Sequence, residues 1–132
     1  MGFKRVSSLI GGSNIEYYLG TDAEAYTLGE ALVQTGGRLT KCGATATPEF
    51  ICLADQVAEA TAKTPIPVER VREDVEYSAV STATVGDALV GSKVTLHTDG
   101  LSPTATTTSG VFLITATDEA TTNSKVRGMF RR

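Results

Sequence analysis

The chain has 132 residues, a net charge of −3, 6% aromatic residues and no tryptophan. That length fits one domain, which buries about 65–70% of its unfolded surface and stands without metal or disulfide staples. The balance of charge lacks the basic excess of a protein that tracks nucleic-acid phosphates, and Thr, Gly, Val, Ile and Tyr together favour short strands joined by turns.

Along the chain, Lys4 and Arg5 precede an apolar run broken at Ser7, Ser8, Gly11 and Gly12. It is too short and polar for a signal peptide. Gly11-Gly12-Ser13-Asn14 reads as a hinge, so residues 1–15 are expected to be an N-terminal arm and residues 16–132 a single β-rich domain. Termini fray unless tied down, so an ordered arm needs its own body or a partner to hold it. Charge is uneven: Lys4 and Arg5 lie near one end, Lys125, Arg127, Arg131 and Arg132 near the other, with acidic residues dominant between. Charged ends serve solubility; docking on an acidic protein partner is the other reading.

The body contains an internal repeat, about 27–71 and 84–130. TLGEALV at 27–33 answers TVGDALV at 84–90, and RLTK at 38–41 answers KVTL at 93–96. FICLA at 50–54 answers VFLIT at 111–115, Glu59-Ala60-Thr61 answers Glu119-Ala120-Thr121, and the apolar segment 66–71 answers 124–130. Asp22-Ala23-Glu24-Ala25 with Leu28, Ala31 and Leu32 also fits a helix capped by Asp22. The matching segment holds Thr84, Val85 and Gly86, poor helix formers, so the repeat predicts strands at both places, with the shared Gly and acidic residue at a turn or bulge. Any helix is a single turn near 20–25 or 54–61. Residues 75–82 form a linking strand, Val94 and Leu96 alternate with outward-facing Lys93, Thr95, His97 and Asp99, and Gly36-Gly37 and Asp99-Gly100 are turns. The class is all-β: a closed or nearly closed barrel, or a compact sandwich, built from two similar halves.

The residues nominate no catalytic site, cofactor site or metal site. His97 is the only histidine and has no nucleophile or oxyanion donors beside it in the sequence. Cys42 and Cys52 lack metal-ligand spacing and read as free, buried thiols of a protein made in a reducing compartment, although paired strands would leave a disulfide conceivable. Glu69, Glu73, Asp74 and Glu76 interleave with Arg70 and Arg72, which hold them ionised, so a salt-bridged strand or a charge contact between subunits is expected rather than acid–base work. The glycine pairs form no phosphate-binding loop. LSPTATTTSG at 101–110 reads as a strand and hairpin turn rather than a glycan contact. The few Tyr and Phe residues lack a flanking basic groove, which argues against single-stranded nucleic acid, and no segment has the length of a membrane span.

YTLGEALVQTGGRLTK, PEFICLADQV, PIPVERVREDVEY, VGDALVGSKVTL, DGLSPTATTTSGVFLI and KVRGMF, spread over residues 26–130, resemble the capsid decoration (cement) proteins of tailed phages. The resemblance implies a β-barrel or β-tulip-like body, made in the host cytoplasm, that binds the major capsid protein on the outer surface of the virion and stabilises the mature head. It also implies self-association, as a homotrimer or a dimer, with no enzyme activity, cofactor, nucleic acid or membrane. An arm of this kind can add a strand to a capsid sheet, which points to Phe3, Lys4, Arg5, Leu9 and Ile10 as the capsid contact. Deleting residues 1–12 is then expected to weaken capsid binding and leave the body folded. The alternatives are a β-barrel module of the phage tail or baseplate, and a ligand-binding domain or enzyme without a recognisable motif.

Overall fold

The computed structural model describes residues 2–8, 15–60 and 63–131. Among the described residues twelve strands run in chain order: β1 (Lys4–Ser8), β2 (Ile15–Leu19), β3 (Ala25–Tyr26), β4 (Ala31–Thr35), β5 (Arg38–Lys41), β6 (Phe50–Cys52), β7 (Gln56–Val57), β8 (Pro65–Arg70), β9 (Val75–Val80), β10 (Lys93–Val94), β11 (Phe112–Thr117) and β12 (Lys125–Phe130). Among the described residues the one helical element is a 3₁₀ turn at Asp87–Leu89. The protein is all-β.

The first half of the chain forms a five-stranded antiparallel sheet in the order β2-β8-β6-β4-β5. It curls until its edges meet. Gly20, just past β2, bridges Leu39 of β5, and the Leu39 carbonyl accepts from the Tyr26 hydroxyl at 2.6 Å and the Thr21 hydroxyl at 2.8 Å. The Arg38 guanidinium donates to the Gly20 carbonyl at 2.8 Å. Gly36-Gly37 makes the two-residue turn between β4 and β5, with φ of 59° and 80°, backbone angles that suit glycine and match the twist of a hairpin. Pro67 has no N–H to give, so its strand offers β6 only a carbonyl there, which accepts from Leu53 at 3.0 Å; the β6–β8 ladder ends at Cys52↔Val68.

The second sheet runs β1-β9-β12-β11-β10, also antiparallel. The first sheet is buried on its inner face, and at Ala31 of β4 and Ile51 of β6 on its outer face as well. Tyr26, Leu32, Leu39, Phe50, Cys52, Ile66 and Val68 fill the inside of the curl. Ala31 and Ile51, one residue out of phase, join Val75, Tyr77, Phe112, Ile114, Val126 and Phe130 of the second sheet in the larger core. Burial on both faces is why FIC at 50–52 is an unbroken apolar run, while VEYSAV in β9 alternates.

Several expectations need correction. The heptapeptides of the repeat adopt different structures. At 31–35 the chain is a strand because the Gly36-Gly37 turn brings β5 alongside it. At 84–90 there is no strand: Leu89 and Val90 donate back to Gly86 and Asp87, and the Gly91 N–H goes to Ile114. The place beside β11 is then taken by β10. The shared Gly and acidic residue do mark a turn in the first copy, where the Glu30 N–H meets the Thr27 carbonyl at 3.0 Å. Glu30 itself is fully buried and accepts from the Thr27 N–H at 3.0 Å, with Lys41 at 3.5 Å; burial pushes its carboxyl up. Residues 20–25 and the described part of 54–61 hold turns and short strands, not a helix, and Thr61 lies outside the described residues. The segment 101–110 is a loop with one bridge, Pro103 to Leu96, pinned by a hydroxyl–hydroxyl bond of 2.7 Å between Thr95 and Thr104. Thr95, expected to face outward, is buried.

The segment read as an arm is held by its own body. β1 pairs antiparallel with β9, with Lys4 opposite Ser78 and a bulge between Arg5 and Ser7. Phe3 is 2% exposed, its ring centroid 4.9 Å from Phe130 and 5.3 Å from Phe112. Leu9, Ile10 and the hinge at 11–14 lie outside the described residues.

Cys42 and Cys52 are free and buried, and burial pushes the Cys42 thiol up to about 12 and the Cys52 thiol in the same direction. Because the thiolate is the reactive form, a thiol-specific chromogenic disulfide at neutral pH is expected to modify neither cysteine in the folded protein and both in denaturant. Fast labelling without denaturant contradicts that burial.

Candidate functional site

The outer face of the second sheet brings the two ends of the sequence together. Lys4 of β1 and Arg127 of β12 both pair with Ser78 of β9, one from each side, and Ala116 of β11 lies beyond Arg127. Lys125 sits one step along, opposite Val80. Strand alternation sends these side chains to solvent, while Tyr77, Ala79, Val126 and Gly128 face the core. Lys4, Lys125 and Arg127 are all exposed. None of the three forms an ion pair among the described residues.

The small side chains of Ser78 and Ala116 leave a shallow groove of about 480 Å³ on this face, lined also by Gly2, Lys4, Thr117, Asp118, Lys125 and Arg127. Two carboxylates, Asp118 in the lining and Glu76 beside it on β9, offset part of this positive charge. Asp118 accepts from the N–H groups of Ala120 at 3.0 Å and Lys125 at 2.9 Å, and these bonds hold its carboxyl below the usual range. Glu76 accepts from the Thr115 hydroxyl at 2.9 Å. Three cations, Lys4, Lys125 and Arg127, against these two carboxylates leave a small positive excess, which suits an anionic surface.

Of the described residues expected to make a contact, Phe3, Lys4 and Arg5, only Lys4 takes part in this face. Phe3 is core. Arg5 points to the other side of β1, where it meets Glu69 at 3.3 Å. Lys125 and Arg127 were not anticipated as site residues. Their alternation with buried Val126, Gly128 and Phe130 was readable, whereas their meeting with Lys4 depends on β9 running between β1 and β12.

A second recess, of about 250 Å³, opens at the edge of the sandwich beside β1. Phe3, Lys4, Arg5, Leu28, Gly29, Ile51, Cys52, Leu53, Glu69 and Tyr77 line it. The Tyr77 side chain is fully buried, and its hydroxyl has no hydrogen-bond partner among the described residues. An unsatisfied buried hydroxyl costs about 1–3 kcal/mol, so Tyr77→Phe is expected to leave thermal stability unchanged or raise it by about 1 kcal/mol. A loss greater than that in a denaturant melt means the hydroxyl is bonded after all.

Elsewhere, His97 Nδ1 lies 3.1 Å from Asp99 with both side chains about half exposed. The stretch around 69–76 forms ion pairs, Arg5–Glu69, Arg70–Glu16 at 3.1 Å and Arg72–Asp74 at 3.4 Å. Among the described residues no three His, Cys, Asp or Glu side chains converge as a metal site, and no helix there is long and apolar enough to cross a membrane. No family model matches the chain, and no curated protein matches it.

Proposed function

We propose that this chain is a structural virion protein that binds the outer surface of a phage capsid, through the Lys4–Lys125–Arg127 face, and stabilises the mature head. The observation that carries the reading is the convergence of Lys4 from one end of the sequence with Lys125 and Arg127 from the other on one exposed groove, in a chain whose net charge is −3. A dispersed solubility charge has no need of such a focus. The resemblance in residues 26–130 supplies the kind of partner, a major capsid protein, and homotrimeric or dimeric association as the working form; the basic face asks for acidic surface on that partner.

The mechanism is mass action. A protein that binds the assembled shell and not its separated subunits shifts the balance toward the shell, by about 2.7 kcal/mol per site when its free concentration is about 100 times Kd. Many equivalent sites act together on one particle. The test is to add the purified chain to heads that lack it and to follow both bound stoichiometry and the temperature of DNA release. Saturable binding with a higher release temperature supports the proposal; heads that bind none of it refute it.

A further inference from the structure

We infer that the recess beside β1 is a binding site for a small, neutral, largely hydrocarbon molecule carrying one carbonyl group, which accepts a hydrogen bond from the Tyr77 hydroxyl. The inference does not depend on the capsid reading.

The ladder between β1 and β9 builds the polar end of this site. Arg5 lies directly opposite Tyr77, so both side chains leave the second sheet on its inner face. There Arg5 meets Glu69 of β8 at 3.3 Å, and the two charges answer each other. Lys4, the remaining charged residue of the lining, is exposed. Of the charged groups, Glu69 and Arg5 act most strongly on the Tyr77 hydroxyl, and all three residues line the recess. That hydroxyl has no hydrogen-bond partner among the described residues, although the Tyr77 side chain is fully buried. Burial pushes its pKa up, so at neutral pH it keeps its proton and is a donor. An unpaired buried donor carries a desolvation cost that an incoming acceptor removes. The ligand is therefore one that accepts, and it has no need of charge.

The rest of the recess is apolar and already formed. Phe3, Leu28, Ile51 and Leu53 supply hydrocarbon walls, and Leu28 is itself half exposed. The backbone behind them is fixed: the Phe3 N–H donates to the Gly29 carbonyl at 2.9 Å, and the Gly29 N–H to the Cys52 carbonyl at 2.8 Å. Gly29 has a φ of 86°, and a side chain there would meet the Gly2 backbone at 2.8 Å. That close approach shapes the wall and requires glycine. A wall held in this way needs little ordering when a ligand enters. Apolar walls with one placed polar group are the usual make-up of a small-molecule site. The volume of about 250 Å³ limits the occupant to a single small ring or a short branched chain.

The test uses the full chain, isotopically labelled, with two probes: cyclohexanone, and methylenecyclohexane, which has the same shape and no oxygen. The expected result is saturable binding of both at millimolar concentration or below, with amide shifts centred on Leu28, Ile51, Leu53 and Tyr77. Tyr77→Phe is expected to weaken cyclohexanone about fivefold, the net worth of one hydrogen bond, and to leave methylenecyclohexane within about twofold. Leu28→Asp, at an exposed position, is expected to weaken both probes by about tenfold, because it sets a charge against the hydrocarbon. Shifts centred elsewhere or no saturation by cyclohexanone overturns the inference. An equal effect of Tyr77→Phe on the two probes also overturns it, since the hydroxyl then takes no part in binding.

Discussion

Phe3→Ala is expected to destabilise the protein by about 3–5 kcal/mol, the usual cost of emptying a buried phenylalanine site. Phe3 is 2% exposed and stands against both Phe112 and Phe130, whose own centroids lie 5.0 Å apart. The Tyr77 ring also packs on Phe130, at 5.2 Å between centroids. Removing the ring opens a cavity in an aromatic cluster that joins β1, β9, β11 and β12. Domain stabilities are about 5–15 kcal/mol, so the loss is a large fraction of the total and lowers Tm by on the order of 10 °C. Deleting residues 1–12 takes away the same ring together with the whole of β1, so the truncated chain is expected to unfold or aggregate rather than persist as a folded body with weaker binding. A denaturant melt of Phe3→Ala decides the matter: a midpoint shift worth under about 1 kcal/mol contradicts the placement of Phe3 in the core.

Charge reversal at all three groove positions, Lys4→Glu with Lys125→Glu and Arg127→Glu, is expected to abolish capsid binding at physiological salt while the fold survives. The side chains are solvent-exposed and none forms an ion pair among the described residues, so little native packing is lost. Against an acidic partner, three attractions become three repulsions, and like-charge juxtaposition costs several kcal/mol. A penalty of about 4 kcal/mol corresponds to roughly 10³-fold in Kd. The effect should shrink as salt rises, because exposed charges are screened over about 8 Å at physiological ionic strength. A triple variant that binds heads within about threefold of the parent at low salt is incompatible with a basic docking face.

The core position of Phe3 and the basic groove differ in how far the sequence made them readable. The all-β class was legible because alternation in 75–80, the glycine pair at 36–37 and the apolar run at 50–52 each have one simple reading. The fate of 84–90 was not. TVGDALV and TLGEALV are nearly the same string, and the difference lies in the residues downstream of each: a hairpin turn brings a partner strand after Val33, whereas the backbone after Val90 is tied to Ile114. Local pattern carries no information about which strand will occupy an edge. Which of the two, body or partner, holds the arm is not readable locally for a related reason. Flanking glycines on one side looked like a boundary, while the value of Phe3 as a core residue emerges only once β9, β11 and β12 are assembled around it. The candidate site was half legible: the two basic ends were visible as composition, and their union required the long-range pairing of β1 and β12 with the same central strand.

The most direct test of the proposed capsid role is quantitative mass spectrometry of any phage particles purified after prophage induction of the cell that encodes this chain. A decoration protein is expected at a copy number comparable to that of the major shell protein, reduced sharply in particles carrying the triple charge reversal. A handful of copies per particle would move the protein to the tail or neck, and its absence from the particle would contradict the structural role outright.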